Sequence, residues 1–201
     1  MAKKIKKTKK IKSVKLPSKV IAYLNKAGIK HDLLEHKTAY TAVDVANTMK
    51  KKLEEVTKAL LVRADRDYYL VILPADHNLD FDKLRKLVSK HNQKDVKVIK
   101  IPAEQVAKDV LQIKNDAMTA FGSLYKLPVI MEKKLANLKK AVFASESFNH
   151  SVEMAVKDFI EMEKALLGSF GVKRKIKKVA VSKKKKALHK KAKKTAKKRK
   201  K

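Results

Sequence analysis

With its 52 basic residues set aside, this chain offers little side-chain chemistry. It contains no cysteine, so a thiolate nucleophile, a sulfur-ligated zinc and a disulfide framework are all excluded. Of its six histidines, His31 and His36 stand five apart across a strand and its end. They need not share a face, and no Asp or Glu cluster completes a ligand set, so no metal site is expected. His150 falls in a turn, where a histidine either lines a pocket or serves the fold. Lys58 opens an apolar, β-rich run; by itself it reads as a solvated lysine at a strand start. Phe121-Gly122 closes a long stretch without period, and Asp116 within that stretch has the residue type that caps a loop's own backbone. With only four glycines there is room for neither a P-loop nor a dinucleotide fingerprint, so ATP, NAD and other cofactors are not expected.

The elements that must hold these residues follow from periodicity. Ser18 has the type of a helix N-cap, and Val20, Ile21, Leu24 and Ala27 give a helical period that stops at Gly28. A short strand is expected over 29–35, then a helix capped by Thr41 with Val43, Val45, Ala46 and Met49 on one face, then a helical turn at 53–56. The runs 58–63 and 68–73, separated by Ala64-Asp65-Arg66-Asp67, predict an antiparallel hairpin. Asp80 caps a helix through Leu84, Leu87 and Val88; 96–101 is a strand, and Pro102 starts a helix to about Leu111. The stretch 112–122 has no period, and an irregular loop of that length in a compact domain is often functional. An apolar segment at 127–131, closing strands at 141–144 and 152–154, and a last helix over 156–167 ended by Gly168 complete an α/β, mixed α+β, pattern.

Charge divides the chain. Residues 1–19 hold nine lysines and no acid, residues 173–201 hold eighteen Lys or Arg and no acid, and what remains is 25 basic against 20 acidic residues. Three parts are therefore expected: a basic disordered tail over 1–17, one domain over 18–170 and a lysine-rich disordered tail over 171–201. Lysines without interleaved aromatics supply phosphate contacts but no base stacking, so the tails suit nonspecific binding of RNA or DNA. No apolar run approaches the roughly 20 residues of a membrane helix, and no apolar segment follows the N-terminal charges. A cytoplasmic protein is expected.

Tyr40-Thr41-Ala42 with Val45-Ala46, then Val56-Thr57-Lys58-Ala59-Leu60-Leu61-Val62, are the first of five ordered stretches. The others are Leu79-Asp80 with Lys83-Leu84 after an apolar strand, Phe121-Gly122 with Leu127-Pro128-Val129, and Asn149-His150 before Val152-Glu153. Together they resemble the YbaK/prolyl-tRNA synthetase-associated domain family, which hydrolyses wrongly charged aminoacyl-tRNA. The resemblance covers about residues 18–167 and implies a mixed, partly barrel-like sheet surrounded by helices. It also implies a trans-editing deacylase for tRNA of the prolyl type carrying a small amino acid, with the aminoacylated 3′ end and an aminoacyl-tRNA synthetase as partners. Lys58 would hold the substrate near its terminal phosphate or carbonyl, and the loop at Gly122 would supply backbone donors to the developing oxyanion, water being the nucleophile. Tyr40, Thr41, Asp116, Ala120, Phe121, Asn149 and His150 would shape the substrate site. The sequence departs from the family where a loop glycine and proline are replaced by Asp116 and Ala120. A binding protein that kept the fold and lost hydrolysis is the alternative, and a lysine-tailed nucleoid- or ribosome-associated protein is a third.

Overall fold

In a computed structural model of the chain, residues 16–113 and 117–174 are described. Residues 1–15 and 175–201 of the two basic tails, with their expected disorder, and Asp116 lie outside these residues, whereas 171–173, expected in the disordered tail, form a strand. The chain order is α1 (Ser18–Lys26), β1 (His31–Glu35), α2 (Ala42–Met49), β2 (Thr57–Ala64), β3 (Asp67–Pro74), β4 (His77–Leu79) and α3 (Phe81–Asn92). It continues with β5 (Ile99–Lys100), α4 (Glu104–Leu111), β6 (Val129–Glu132), β7 (Lys140–Ala144), β8 (His150–Ala155), α5 (Val156–Glu163), β9 (Leu166–Gly168) and β10 (Gly171–Lys173). Short 3₁₀ turns occupy Gly122–Tyr125 and Lys133–Asn137.

A five-stranded sheet in the order β5-β2-β3-β6-β9 forms the centre, with β6 parallel to both β3 and β9. It is buried on both faces, which is why 68–73 reads as a nearly continuous apolar run instead of an alternating one. One face packs Leu70, Ile72 and Met131 against Phe121, Phe143, Phe159 and α1; the other packs Val62, Val71 and Ile130 against Leu84 and Val88 of α3. A second sheet, β1-β8-β7, covers the first face, and β10 pairs with β4. The two larger sheets join at one edge. Val56 bridges Val142 in parallel, and the Thr57 hydroxyl donates to the Val142 carbonyl at 2.9 Å. The fold is thus mixed α/β with helices around its sheets, and no barrel closes.

Several boundaries differ from the sequence reading. Ser18 is the first residue of α1, not its cap: Pro17 holds that position and no side chain caps the helix. Residues 53–56 make a hydrogen-bonded turn and a bridge, not helix. β5 has shrunk to two residues, and β4 was not anticipated. The last helix stops at Glu163, four residues short of expectation, where Lys164 takes a left-handed conformation. Leu166–Gly168 turns instead into an edge strand, because the apolar Leu166 finds its partners along β6. A Cβ on Gly168 would fall 2.2 Å from Leu87 Cδ2, so that glycine lets β9 pass close to α3; it does not end a helix.

Candidate active site

Three elements converge on one cavity of about 290 Å³: the N-terminal turn of α2, the first residues of β2 and the outer end of β7. Each is fixed locally. Thr41 caps α2 in a full capping box: its hydroxyl accepts from Asp44 N at 3.1 Å, and Asp44 Oδ2 accepts in return from Thr41 N and Oγ1. The start of β2 is pinned to β7 by the Thr57 bond. The segment after the undescribed residues 114–116 is stitched to the same strand end, with Thr119 bridging Ser145 and Ala120 N donating to the Ala144 carbonyl at 2.9 Å.

The walls are chiefly apolar, drawn from residues such as Val45, Val56, Ala59, Met118, Val142 and Phe143. Lys58 is the cation among them. Its ammonium is half-buried, and among the described residues it has no hydrogen-bond or ion-pair partner. Burial, reinforced by the nearby Arg174 charge and opposed by Asp76, holds its pKa below the ordinary lysine value. A cation kept short of solvent without a carboxylate partner is placed to meet an anion or a polarised oxygen.

At the mouth, Tyr40 is 75% exposed with its ring centroid 5.1 Å from that of Phe148, and both residues line the cavity. Exposed aromatic faces of this kind are suited to stacking a base. Two serines of the wall are each held by a histidine. His36 Nδ1 lies 2.9 Å from the Lys37 carbonyl, which requires a proton on that nitrogen, so in the neutral ring Nε2 accepts from the Ser151 hydroxyl at 3.0 Å. His150 Nδ1 lies 3.1 Å from Ser147 Oγ, which also accepts from the backbone N–H groups of Asn149 and His150. His150 is buried, and its carbonyl accepts from Ser145 Oγ at 2.8 Å. Asn149 Nδ2 donates to Thr38 Oγ1 at 2.9 Å, and its carbonyl accepts from His36 N.

Of the residues singled out from sequence, Tyr40, Thr41 and Lys58 come together on the cavity wall. Asn149 and His150 stand behind it: Asn149 ends the turn that presents Ser147 and Phe148, and His150, expected in a turn, is the first residue of β8, paired with Glu35. Ala120 and Phe121 lie fully buried in the core, Phe121 among the rings of Tyr23, Phe143 and Phe159. A Cβ on Gly122 would meet Val129 Cγ2 at 2.6 Å and the Leu127 carbonyl oxygen at 2.7 Å, so this glycine is required by its own turn. Asp116 is outside the described residues, although its neighbour Ala117 lines the cavity. Met118, Ser147, Phe148 and Ser151 were not singled out, and His36 was weighed only as a metal ligand. Only tertiary packing brings them to Lys58, and a serine or methionine in a strand or loop gives no sequence signal.

Residues 36–162 match the family model described as the aminoacyl-tRNA editing domain. The chain belongs to that family. Among solved structures, one described as a proposed trans-editing enzyme for prolyl tRNA synthetase superposes with a TM-score of 0.66 at 15% identity, covering 78% of this chain and 96% of its own. A hypothetical protein gives 0.66 at 16% identity, with coverage of 77% and 99%. A protein from Marinobacter aquaeolei VT8, described as a proposed signal transduction protein, gives 0.60 at 15% over 84% of this chain but only 34% of its own. At these identities the likeness establishes the shared fold of the editing domain. No curated protein sequence matches the chain.

Proposed function

We propose that this editing-domain protein is a trans-acting aminoacyl-tRNA deacylase that hydrolyses the ester of a mischarged tRNA. The observation that carries the reading is the unpaired Lys58 ammonium on the wall of a small apolar cavity. In this arrangement Lys58 holds the terminal phosphate or the ester carbonyl oxygen, where its charge favours the oxyanion more than the neutral ester. Tyr40 and Phe148 stack the terminal base at the mouth. Water attacks the carbonyl carbon, the tetrahedral centre collapses, and the amino acid leaves from the ribose oxygen, which takes up a proton. Ser151, hydrogen-bonded to the acceptor nitrogen of His36, can pass a proton from that water to the imidazole. Phe121, Gly122, Asn149 and His150 act from behind by fixing the turns that carry the wall.

A cavity near the lower end of the roughly 300–1,000 Å³ usual for ligand sites suits a small aminoacyl group. The structural neighbour described as serving prolyl tRNA synthetase supports tRNA of the prolyl type as carrier and a synthetase as functional partner. The tails add nonspecific RNA affinity through charge. No helix among the described residues is long and apolar enough to cross a membrane, and a cytoplasmic site of action fits a tRNA substrate.

One observation favours a second reading, a tRNA-binding protein without hydrolysis. The Ala120 amide is already committed to the Ala144 carbonyl, so it offers no donor to an oxyanion. Deacylation of a panel of misacylated tRNAs by the full-length protein separates the two. The deacylase reading expects turnover of small-amino-acid esters and a loss of about 10²–10³-fold in kcat/KM for Lys58→Ala. Tight binding without turnover, or a Lys58→Ala protein as fast as wild type, would remove the catalytic reading.

A further inference from the structure

The far end of β2 carries charge that the cavity does not use. Arg63 lies in direct antiparallel register with Lys100 on β5, an edge strand. Like charges directly opposite on paired strands destabilise the pairing unless something neutralises them. Arg66, exposed in the two-residue turn between β2 and β3, adds a third cation. Together with Asp65 and Val98, these three line an open cleft of about 360 Å³.

One acid, Asp65, shares the cleft wall with the three cations and leaves them in excess by two charges. Asp65, on the cleft wall, has its carboxylate committed: Oδ1 accepts from Val98 N at 2.8 Å and Oδ2 from Lys97 N at 3.3 Å. Among the described residues no ion pair joins Arg63, Arg66 or Lys100 to any carboxylate, that of the exposed Asp67 included. Arg63 is also oriented in advance. Its Nε donates to the Asp65 carbonyl at 2.6 Å, which fixes the guanidinium plane and leaves the terminal nitrogens for a ligand.

We propose that the cleft between Arg63, Arg66 and Lys100 binds the phosphodiester backbone of the same RNA whose 3′ end enters the cavity. The assignment rests on the editing reading for the identity of that RNA. Arg63 is five residues along β2 from Lys58, about 17 Å at strand rise, and the odd spacing puts the two side chains on opposite faces of the sheet, so a strand that reaches both spans at least about five stacked nucleotides at ~3.4 Å each. The cleft therefore grips the RNA at least that far behind the ester. Three cations, one of them an oriented guanidinium, make a phosphate contact without base readout.

The test uses full-length protein and an uncharged RNA minihelix with a single-stranded 3′ end, its Kd measured across a salt series. The double variant Arg63→Ala/Lys100→Ala is compared with Lys86→Ala/Lys90→Ala, which removes the same charge from exposed positions on α3. Loss of one or two phosphate contacts lowers the slope of log Kd against log salt by about 1–2 in the cleft variant and leaves the α3 variant at the wild-type slope. Arg66→Glu, at an exposed turn position where the fold is undemanding, weakens binding in the same sense. Equal slopes for the two double variants, or no minihelix binding by wild type, overturn the assignment. Hydrolysis of an aminoacylated trinucleotide, too short to reach the cleft, reports on the editing reading separately, and its rate is unchanged in the cleft variants.

Discussion

Lys58 is held at a cost to the fold and available to a ligand. Its depressed pKa means that the unfolded chain binds the proton more tightly than the native state does, so stability rises as pH climbs through the window between the folded value and the ordinary lysine value. Lys58→Met removes that burden. We expect it to melt no lower than wild type at pH 7 by calorimetry while losing deacylation. Glu163 shows the opposite acid case. It is buried, its Oε2 accepts from Ser123 N at 2.9 Å and its Oε1 accepts no hydrogen bond among the described residues; burial raises its pKa. Here the native state is the tighter binder of the proton. Its stability contribution is full below the ordinary glutamate value and is lost as pH rises through the raised folded value. Glu163→Gln should therefore flatten the decline of Tm with rising pH above about 4.5, relative to wild type. An unchanged pH profile would mean the carboxyl ionises as easily folded as unfolded.

At the scale of elements, the cavity depends on the N-terminus of α2. The capping box at Thr41 and Asp44 sets where the helix begins, and Tyr40, Thr41 and Ala42 on the wall follow from that start. Thr41→Ala should cost about 1 kcal/mol of stability by chemical denaturation, and should raise KM more than it lowers kcat because the wall and mouth lose definition. A larger loss in kcat than in KM would instead mean that Thr41 meets the reacting ester. The central strands were legible because both faces are buried and the apolar run is unbroken. The short strands were not. β4 and β10 each have three residues, pair only with one another, and carry polar residues such as His77, Asn78 and Lys173, so no apolar signal marks them.

For the whole molecule, charge and catalysis are divided between parts of the chain. Residues 175–201 carry sixteen Lys and Arg, enough to dominate the salt dependence of any RNA binding. Removing them should weaken tRNA affinity by 100-fold or more at low salt and leave the rate at saturating tRNA unchanged; a fall in that rate would assign the tail a role at the ester. The regular structure extends to Lys173, beyond the expected domain end at 170, because Glu132 Oε2 accepts from the Phe170 and Gly171 amides and Arg174 N donates to the Asp76 carbonyl. These bonds tie the last strand to a buried carboxylate from β6, a contact that neighbouring sequence cannot announce. The sequence alone determined the helix caps at Thr41 and Asp80, the β2–β3 hairpin, the family and the charge partition, since each depends on local residue type, apolar periodicity or composition. Tertiary structure alone decided that Lys58 meets Tyr40, Phe148 and Ser151 at one cavity while Phe121 and Gly122 turn into the core. Those placements depend on how two sheets join at Val56 and Val142, residues 86 positions apart in the chain.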